Sequence, residues 1–125
     1  MSVQLKVVES KKEFKLFAEF ANKLYKGNKY YVPTMAEDDL VVFDKNKNAA
    51  FEFCEAEFYL AYKDGVPVGR IAAIINHKAN AAWNVKQVRY GWIDFIDDIE
   101  VSSALLEAVV DWGRKRGMTS IVGPL

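Results

Sequence analysis

The stretch "EFYLAYKDGVPVGRIAAIIN", residues 57–76, decides the fold. Its first six residues alternate in polarity, which predicts a strand with one buried face. The "KDGVP" that follows contains Asp64 and Gly65, and the glycine supplies the positive φ that a hairpin turn requires. The returning segment is apolar on both faces from Ile71 to Ile75, a pattern typical of a central strand. The stretch therefore predicts an antiparallel hairpin inside a sheet.

The segment before the hairpin predicts a short strand and a helix. "VQLKVVE", residues 3–9, alternates well enough for a first strand. Ser10 and Glu13 then form the pattern of a capping box, in which each side chain accepts a hydrogen bond from a free backbone N–H. Gly27 can end the helix, which we expect over residues 10–26. Its apolar residues recur at helical spacing: Phe14, Phe17, Ala18, Ala21, Leu24 and Tyr25.

The linker between this helix and the hairpin is less regular. Pro33 and Thr34 can start a short helix, and its first turn would then hold three acids, at positions 37–39. "KNKN", residues 45–48, predicts a solvated loop. Tyr30 and Tyr31 have two open interpretations, because they could wall a substrate cleft or pin the linker to the core.

"QVRYGWIDFI", residues 87–96, predicts a further strand after the hairpin. Gly91 marks a bulge or a close backbone approach within it. Alternation divides the other side chains between two faces, with Val88, Tyr90 and Trp92 on one and Arg89, Ile93 and Phe95 on the other.

The last part of the chain predicts a helix over residues 101–116 and a closing strand over residues 119–125. Gly117 ends the helix, whose apolar residues recur at helical spacing. The predicted order is β-α-(α)-β-β-β-α-β. We therefore expect an α/β (α+β) fold with a mixed, mostly antiparallel sheet flanked by helices.

Composition limits the classes of function. The 125 residues suffice for one domain, over residues 1–125. Seventeen basic and seventeen acidic residues cancel, whereas a domain that binds nucleic-acid phosphates normally carries a basic excess. Cys54 is the only cysteine, so a reducing compartment is the simplest assumption and the thiol is interpreted as a small core residue. With no signal-peptide pattern and no long apolar run, we expect a cytoplasmic protein that binds neither nucleic acid nor membrane.

The element order resembles the first five strands of the GNAT family of N-acetyltransferases. "LAYKDGVPVGRIAAIIN", residues 60–76, looks like the second and third strands of that family, and "SALLEAVVDWGRKRGMTSIVGP", residues 103–124, looks like its acyl-CoA-side helix and fifth strand. Family domains continue with another helix and two more strands, which this chain lacks. The resemblance therefore implies a GNAT-like domain without its C-terminal strands, the N-terminal part of a longer domain.

The resemblance also implies a cofactor site. In the family the fourth and fifth strands splay apart around the pantetheine arm of acetyl-CoA or another acyl-CoA, which places Ile93 and Phe95 beside the cofactor. A loop of type (Arg/Gln)-x-x-Gly-x-(Gly/Ala) then binds the pyrophosphate through backbone N–H groups and the helix dipole. Here that motif falls on Asp97, Glu100 and Ser102, so it is degenerate.

These substitutions work against phosphate binding. A glutamate Cβ blocks the close backbone approach that glycine permits, and carboxylates repel a dianion. The structural alternative is that Asp97 or Asp98 caps the helix while Glu100 complements its dipole. The sequence therefore predicts that this chain binds acetyl-CoA weakly or not at all.

Asp94 is the candidate catalytic residue. The resemblance places it on the fourth strand, where an acid deprotonates the substrate amine directly or through water. Its alternative is a solvent-facing strand residue. Arg70 lies in an otherwise apolar strand and must pair or reach the surface, so it could hold a ligand carboxylate or an internal acid, Asp94 or Glu57. Glu57 and Tyr62 could line the same cleft.

His77, the only histidine, lies in "NHKANAAWN", which we interpret as an exposed loop between two strands. With no second histidine or cysteine beside it, we expect no metal site.

Two functions remain open. The first is a GNAT-like N-acyltransferase, or a fragment of one, that transfers an acyl group from acyl-CoA to a small-molecule or peptide amine by direct attack. The second is a non-catalytic binding or assembly module. In either case the closing strand predicts a homo-oligomer with contacts through residues 119–125, since an apolar edge strand invites pairing with another chain. The alternative is that this strand splays from the fourth strand and stays solvated, with the chain monomeric.

Overall fold

The computed structural model describes residues 3–33 and 36–124, and of residues 36–38 the backbone alone. Thr34, part of the predicted start of the short helix, lies outside this description. The elements in chain order are β1 (Gln4–Val7), α1 (Lys11–Leu24), α2 (Ala36–Phe43), a 3₁₀ helix (Ala49–Glu52), β2 (Cys54–Lys63), β3 (Val66–Asn76), α3 (His77–Trp83), β4 (Gln87–Phe95), α4 (Ile99–Lys115) and β5 (Ser120–Val122). Within the described part, no helix is both long and apolar enough to cross a membrane.

The strands form one mixed sheet in the order β1-β2-β3-β4-β5. The first four strands are antiparallel neighbours, and β5 runs parallel to β4. The predicted hairpin is confirmed, since β2 and β3 pair along almost their whole length and Gly65 turns between them with φ of 76°. The predicted fold class, a mostly antiparallel sheet flanked by helices, is therefore also confirmed.

The start of α1 shows why its boundary was predictable. Ser10 Oγ accepts a hydrogen bond from the Glu13 N–H at 3.1 Å, and Glu13 Oε1 accepts one from the Ser10 N–H at 3.0 Å. Glu13 also pairs with Lys6 of β1 at 2.8 Å. The capping box is thus confirmed, and it ties the first helix to the first strand.

One predicted loop is wrong, and one short helix was not predicted. His77 begins the short helix α3 rather than lying in a loop, because the Asn76 side chain accepts a hydrogen bond from the Ala79 N–H at 2.9 Å and caps that helix. The 3₁₀ helix before β2 was not predicted either. Asn48 caps it in the same way, accepting from the Ala50 N–H at 3.0 Å.

The sheet is covered on both faces, and each face has its own core. One core lies between the sheet and α4, and its largest fully buried side chains are Ile71, Ile75, Val101, Leu105 and Val109. The other lies between the sheet and the α1–α2 side, and it includes Phe17, Phe43, Phe58 and Leu60. The second core is largely aromatic, with Phe17 and Phe43 packed edge to face at 5.2 Å between ring centroids.

A bulge in β4 corrects the predicted assignment of side chains to its faces. Arg70 pairs with Asp94 but Ala72 pairs with Gly91, so β4 carries an extra residue there, and Trp92 has φ of 50°. The predicted bulge near Gly91 is confirmed. Because the extra residue inverts the alternation, Trp92 lies in the core on the α1–α2 side, whereas Ile93 packs in the α4 core. The predicted grouping of Trp92 with Val88 is therefore wrong.

Candidate functional site

The cleft of the site opens where β4 and β5 separate. The two strands pair only over residues 87–89 of β4, while β4 itself continues to Phe95. A cavity of about 510 Å³ lies beyond the paired part. Its lining consists of Ile74, Gly91, Trp92, Ile93, Asp94 and Pro124. The bulge and the end of the pairing together create this cleft, because both take the β4 backbone out of the ladder.

Asp94 lies in the wall of the cleft and is held from two sides. Its Oδ2 accepts hydrogen bonds from Arg70 Nε at 3.0 Å and Nη2 at 2.8 Å. Its Oδ1 accepts one from the Tyr25 hydroxyl at 2.8 Å. Between the two acids that the sequence offered as partners for Arg70, the structure therefore selects Asp94.

Arg70 is itself almost fully buried, with 6% of its side chain exposed. Its Nη1 donates to the Phe17 carbonyl of α1 at 2.7 Å. The guanidinium carbon lies 5.3 Å from the Phe17 ring centroid and 5.4 Å from that of Trp92. Such contacts favour a cation between aromatic rings. Arg70 thus joins helix α1, the β4 bulge and Asp94 into one unit.

Two tyrosines complete this polar cluster. Tyr25 and Tyr31 pack with ring centroids 4.8 Å apart, and the Tyr31 hydroxyl donates to Asn22 Oδ1 at 2.9 Å. Burial, followed by the hydrogen bond to Asp94, raises the pKa of Tyr25 to about 12. Burial likewise raises the pKa of Tyr31. Tyr25 therefore keeps its proton at neutral pH and acts as a hydrogen-bond donor to Asp94.

The role of Tyr25 was missed by sequence reasoning, which assigned it to the apolar stripe of the first helix. Its position immediately after α1 was the available signal, since a residue there can turn back toward the sheet. Tyr30 and Tyr31, which the sequence analysis treats as a pair, lie in different environments. Tyr31 packs beside Tyr25, whereas Tyr30 is 83% exposed.

The start of α4 is already occupied by the protein's own charges. The Asp98 side chain accepts a hydrogen bond from the Glu100 N–H at 2.9 Å and caps the helix, which begins at Ile99. Lys63 of the hairpin forms an ion pair with Asp98 and lies 3.6 Å from Glu100. The hydrogen bond with Lys63 lowers the pKa of Asp98 and raises that of Lys63.

This helix end does not fit the pyrophosphate of acyl-CoA. The Asp98 carboxylate takes the first-turn N–H that an anion would use, and Glu100 adds a second negative charge beside it. Lys63, the nearby cation, is paired with both acids. Of the two acids offered as a cap, Asp98 is the one that caps.

The other residues predicted to bind the cofactor are dispersed. Among them Ile93 lines the cleft, but Phe95 lies past it at the end of β4, where 37% of the residue is exposed. Ser102 donates to the Ile99 carbonyl at 3.2 Å within the first turn of α4. Asp97 precedes the cap and does not line the cleft.

The remaining candidates do not form a second site. His77 is exposed, with Nε2 3.4 Å from Glu55. Cys54 is only half-buried, and burial raises the pKa of its thiol. Within the described residues no group of three or more His, Cys, Asp and Glu side chains could hold a metal ion.

The fold is that of the GNAT acetyltransferases, as comparison with solved structures shows. An acetyltransferase from Streptococcus agalactiae 2603 superposes with a TM-score of 0.67 at 16% identity, over 97% of this chain and 71% of that one. A predicted acetyltransferase with acetyl-CoA from Clostridium acetobutylicum gives a TM-score of 0.64 at 11% identity, over 96% of this chain and 79% of that one. At these identities the likeness concerns the fold alone. No protein-family model matches the chain.

Two curated proteins are similar in sequence. Protein YghO of Escherichia coli (strain K12) is 28% identical over 120 residues, which cover 92% of this chain and 29% of that protein. The bacterial ceramide synthase of Caulobacter vibrioides is 28% identical over 118 residues, which cover 94% of this chain and 31% of that protein. The chain thus spans about a third or less of the length of these relatives.

Proposed function

We propose that this chain is the GNAT-like portion of an N-acyltransferase, which joins an acyl group to an amine. The observation that carries the proposal is the cleft along β4, with Asp94 in its wall, in a fold shared with acetyltransferases. The similarity to a bacterial ceramide synthase supports an amine as the acceptor, because a ceramide is an amide of a long-chain amine.

In this proposal Asp94 accepts a proton from the substrate amine, directly or through water, while the amine nitrogen attacks the carbonyl carbon of an acyl thioester without a covalent enzyme intermediate. The C–N bond forms, the C–S bond breaks, and the thiolate leaves and takes up a proton. Each carboxylate oxygen can accept two hydrogen bonds, and Oδ1 receives one from Tyr25, so it can accept another from a group in the cleft. Arg70 is a positioning residue, since its two hydrogen bonds fix the orientation of the carboxylate.

The occupied start of α4 favours a second candidate, a binding or assembly module without acyl-CoA chemistry. The family resemblance assigns the pyrophosphate loop to this helix end, where Asp98 and Glu100 share the single positive charge of Lys63. The two candidates differ in what they require of the cleft. The enzyme requires an acyl donor and an amine there, whereas the module requires neither.

Calorimetric titration with acetyl-CoA tests the argument about the helix end. We expect binding weaker than micromolar, because no anion site is free at the start of α4. A micromolar dissociation constant, about −8 kcal/mol, would contradict it. The combined change Glu100→Gly and Asp97→Arg should strengthen binding by restoring the family's residue types.

Amide formation tests the proposed function itself. The chain is mixed with an acyl thioester that lacks the diphosphate and with an alkylamine, and the amide is measured by mass spectrometry. Asp94→Asn should reduce the rate by about a hundredfold or more, since general bases contribute on the order of 10²–10⁴. Asp111→Asn, the same change at an exposed position of α4, is the matched control and should leave the rate unchanged. Absence of amide with every donor would favour the module.

A further inference from the structure

A second and larger cavity lies on the α1–α2 side of the sheet, away from the start of α4. This α2 groove has a volume of about 890 Å³ and lies between helices α1 and α2 and strand β2. Its apolar lining consists of Val8, Phe14, Leu40, Val41, Phe43, Ala56 and Phe58. The groove is within the size range of ligand sites, roughly 300–1,000 Å³.

The rim of the groove is charged but balanced. It contains three lysines and three acids: Lys11, Lys45, Lys47, Glu9, Asp44 and Glu57. Such a rim selects no single charge on a ligand, so recognition depends on the apolar lining below it.

The α2 groove adjoins the cleft along β4 through a third, smaller cavity. This middle cavity has a volume of about 100 Å³ and shares Phe43, Ala56 and Phe58 with the groove. It shares Ile74 and Trp92 with the cleft. Three cavities therefore follow one another across one face of the sheet, from the charged rim to the wall that contains Asp94.

The narrow middle cavity restricts the chemistry of a ligand that crosses it. The Asn48 amide there offers at most one further donor and one further acceptor, because its nitrogen already donates to the Val42 carbonyl at 2.8 Å and its oxygen already accepts from the Ala50 N–H at 3.0 Å. A peptide backbone would thus bury polar groups without partners at a large cost in free energy. An unbranched alkyl chain has no such groups and is thinner than a peptide.

We infer that the α2 groove and the middle cavity bind the unbranched alkyl chain of an amphiphile, with its reactive head in the cleft. The aromatic pair Phe43 and Trp92, with ring centroids 4.7 Å apart, lies where the chain passes and must move apart to admit it. The inference rests on the proposed function for the role of the head, either the acyl group or the amine. Binding of the alkyl chain does not depend on that function.

Titration calorimetry below micelle-forming concentrations tests the inference with dodecylamine and dodecanoate, each against its four-carbon homologue. Each methylene that becomes buried should tighten binding about fourfold, which corresponds to about 0.8 kcal/mol. We expect at least one long-chain ligand to bind about a hundredfold or more tightly than its homologue. If the affinity for the amine depends on chain length, the head in the cleft is the amine; if the affinity for the carboxylate does, the head is the acyl group. If neither affinity depends on chain length, the inference is overturned.

Two variants locate the binding. Val41→Glu places a carboxylate in the groove at a residue that is 47% exposed, and it should weaken long-chain binding about tenfold or more. Its matched control is Val66→Glu, at a residue 57% exposed in the hairpin, which should have no effect. Ala56→Trp fills the groove without adding charge and should act like Val41→Glu. Equal effects of Val41→Glu and Val66→Glu would overturn the location.

The outcomes also separate this inference from the proposed function. If Val41→Glu abolishes long-chain binding but the native chain forms no amide, the results support the groove and count against the acyltransferase. Amide formation that is equally fast with short and long substrates supports the acyltransferase and overturns the groove as a substrate site.

Discussion

Removal of the Arg70 guanidinium should destabilise the fold by about 3 kcal/mol. Loss of one partner from a buried ion pair costs roughly 3–5 kcal/mol, because the remaining charge stays buried without its counterion. The lower end applies here, since 17% of the Asp94 side chain is exposed and Tyr25 still donates to it. The Phe17 carbonyl lies within α1, so it keeps its helical partner when Arg70 is removed.

Urea unfolding of Arg70→Leu, followed by circular dichroism, measures this loss directly. A loss of about 3 kcal/mol corresponds to a fall in Tm of about 10 °C for a domain of this size. Arg70→Lys keeps the charge but loses the planar fork, so it should fall between the native chain and Arg70→Leu. The double change with Asp94→Asn should cost less than the two single changes together, because no uncompensated carboxylate remains. A loss below about 1 kcal/mol, or strict additivity, would refute the reasoning.

Four further predictions concern the helix ends, the α4 core, acid stability and association. Asp98→Ala should lower the urea midpoint because α4 loses its cap, whereas a midpoint equal to that of the native chain would contradict this cap. Gly113→Ala should destabilise the fold by about 1 kcal/mol, since the new Cβ would lie 2.8 Å from a methyl of buried Val88. This overpacking exceeds the gain in helix propensity. A stabilised variant would show that the core relaxes around the added methyl. The pKa of Glu13 is lowered from 4.5 to about 2, first by the hydrogen bond from Lys6 and then by those from the Ser10 and Glu9 backbone. The contribution of Glu13 to stability is therefore complete above pH 4.5 and disappears as the pH falls toward 2. Glu13→Gln should flatten the dependence of Tm on pH in that interval. If the variant keeps the pH dependence of the native chain, Glu13 is not the source of the acid sensitivity. Light scattering should give a mass above 14.2 kDa that Ile121→Lys reduces to that of a monomer, and a monomeric native chain would contradict association through β5.

Local signals made much of the fold predictable. The hairpin, the capping box of α1 and the stripe of α4 each depend on residues within a few positions of one another, so pattern and propensity suffice. The helix α3 was missed because its signal is a single asparagine cap on seven residues, shorter than periodicity can detect.

The candidate site was only partly predictable. The sequence proposed Asp94 and the degenerate pyrophosphate motif as site features, and it showed that Arg70 needs a partner but not which acid that partner is. The register of β3 and β4 places Asp94 opposite Arg70, and register is a property of the paired sheet rather than of either strand. The roles of Asp94 and of the acyl-CoA residues stay predictions until amide formation and acetyl-CoA binding are measured.

By itself the sequence determined the order of the five strands and of the helices α1 and α4, the central hairpin and the acidic start of α4, since these follow from side chains close together in the chain. Only the tertiary structure decided which face of the sheet each β4 residue occupies, because a one-residue bulge inverts every side chain beyond it. It also decided that Tyr25 meets Asp94 across 69 positions and that three cavities follow one another across the face of the sheet that α1 and α2 cover. Contacts of this kind depend on how the elements pack, and no local pattern encodes a packing distance.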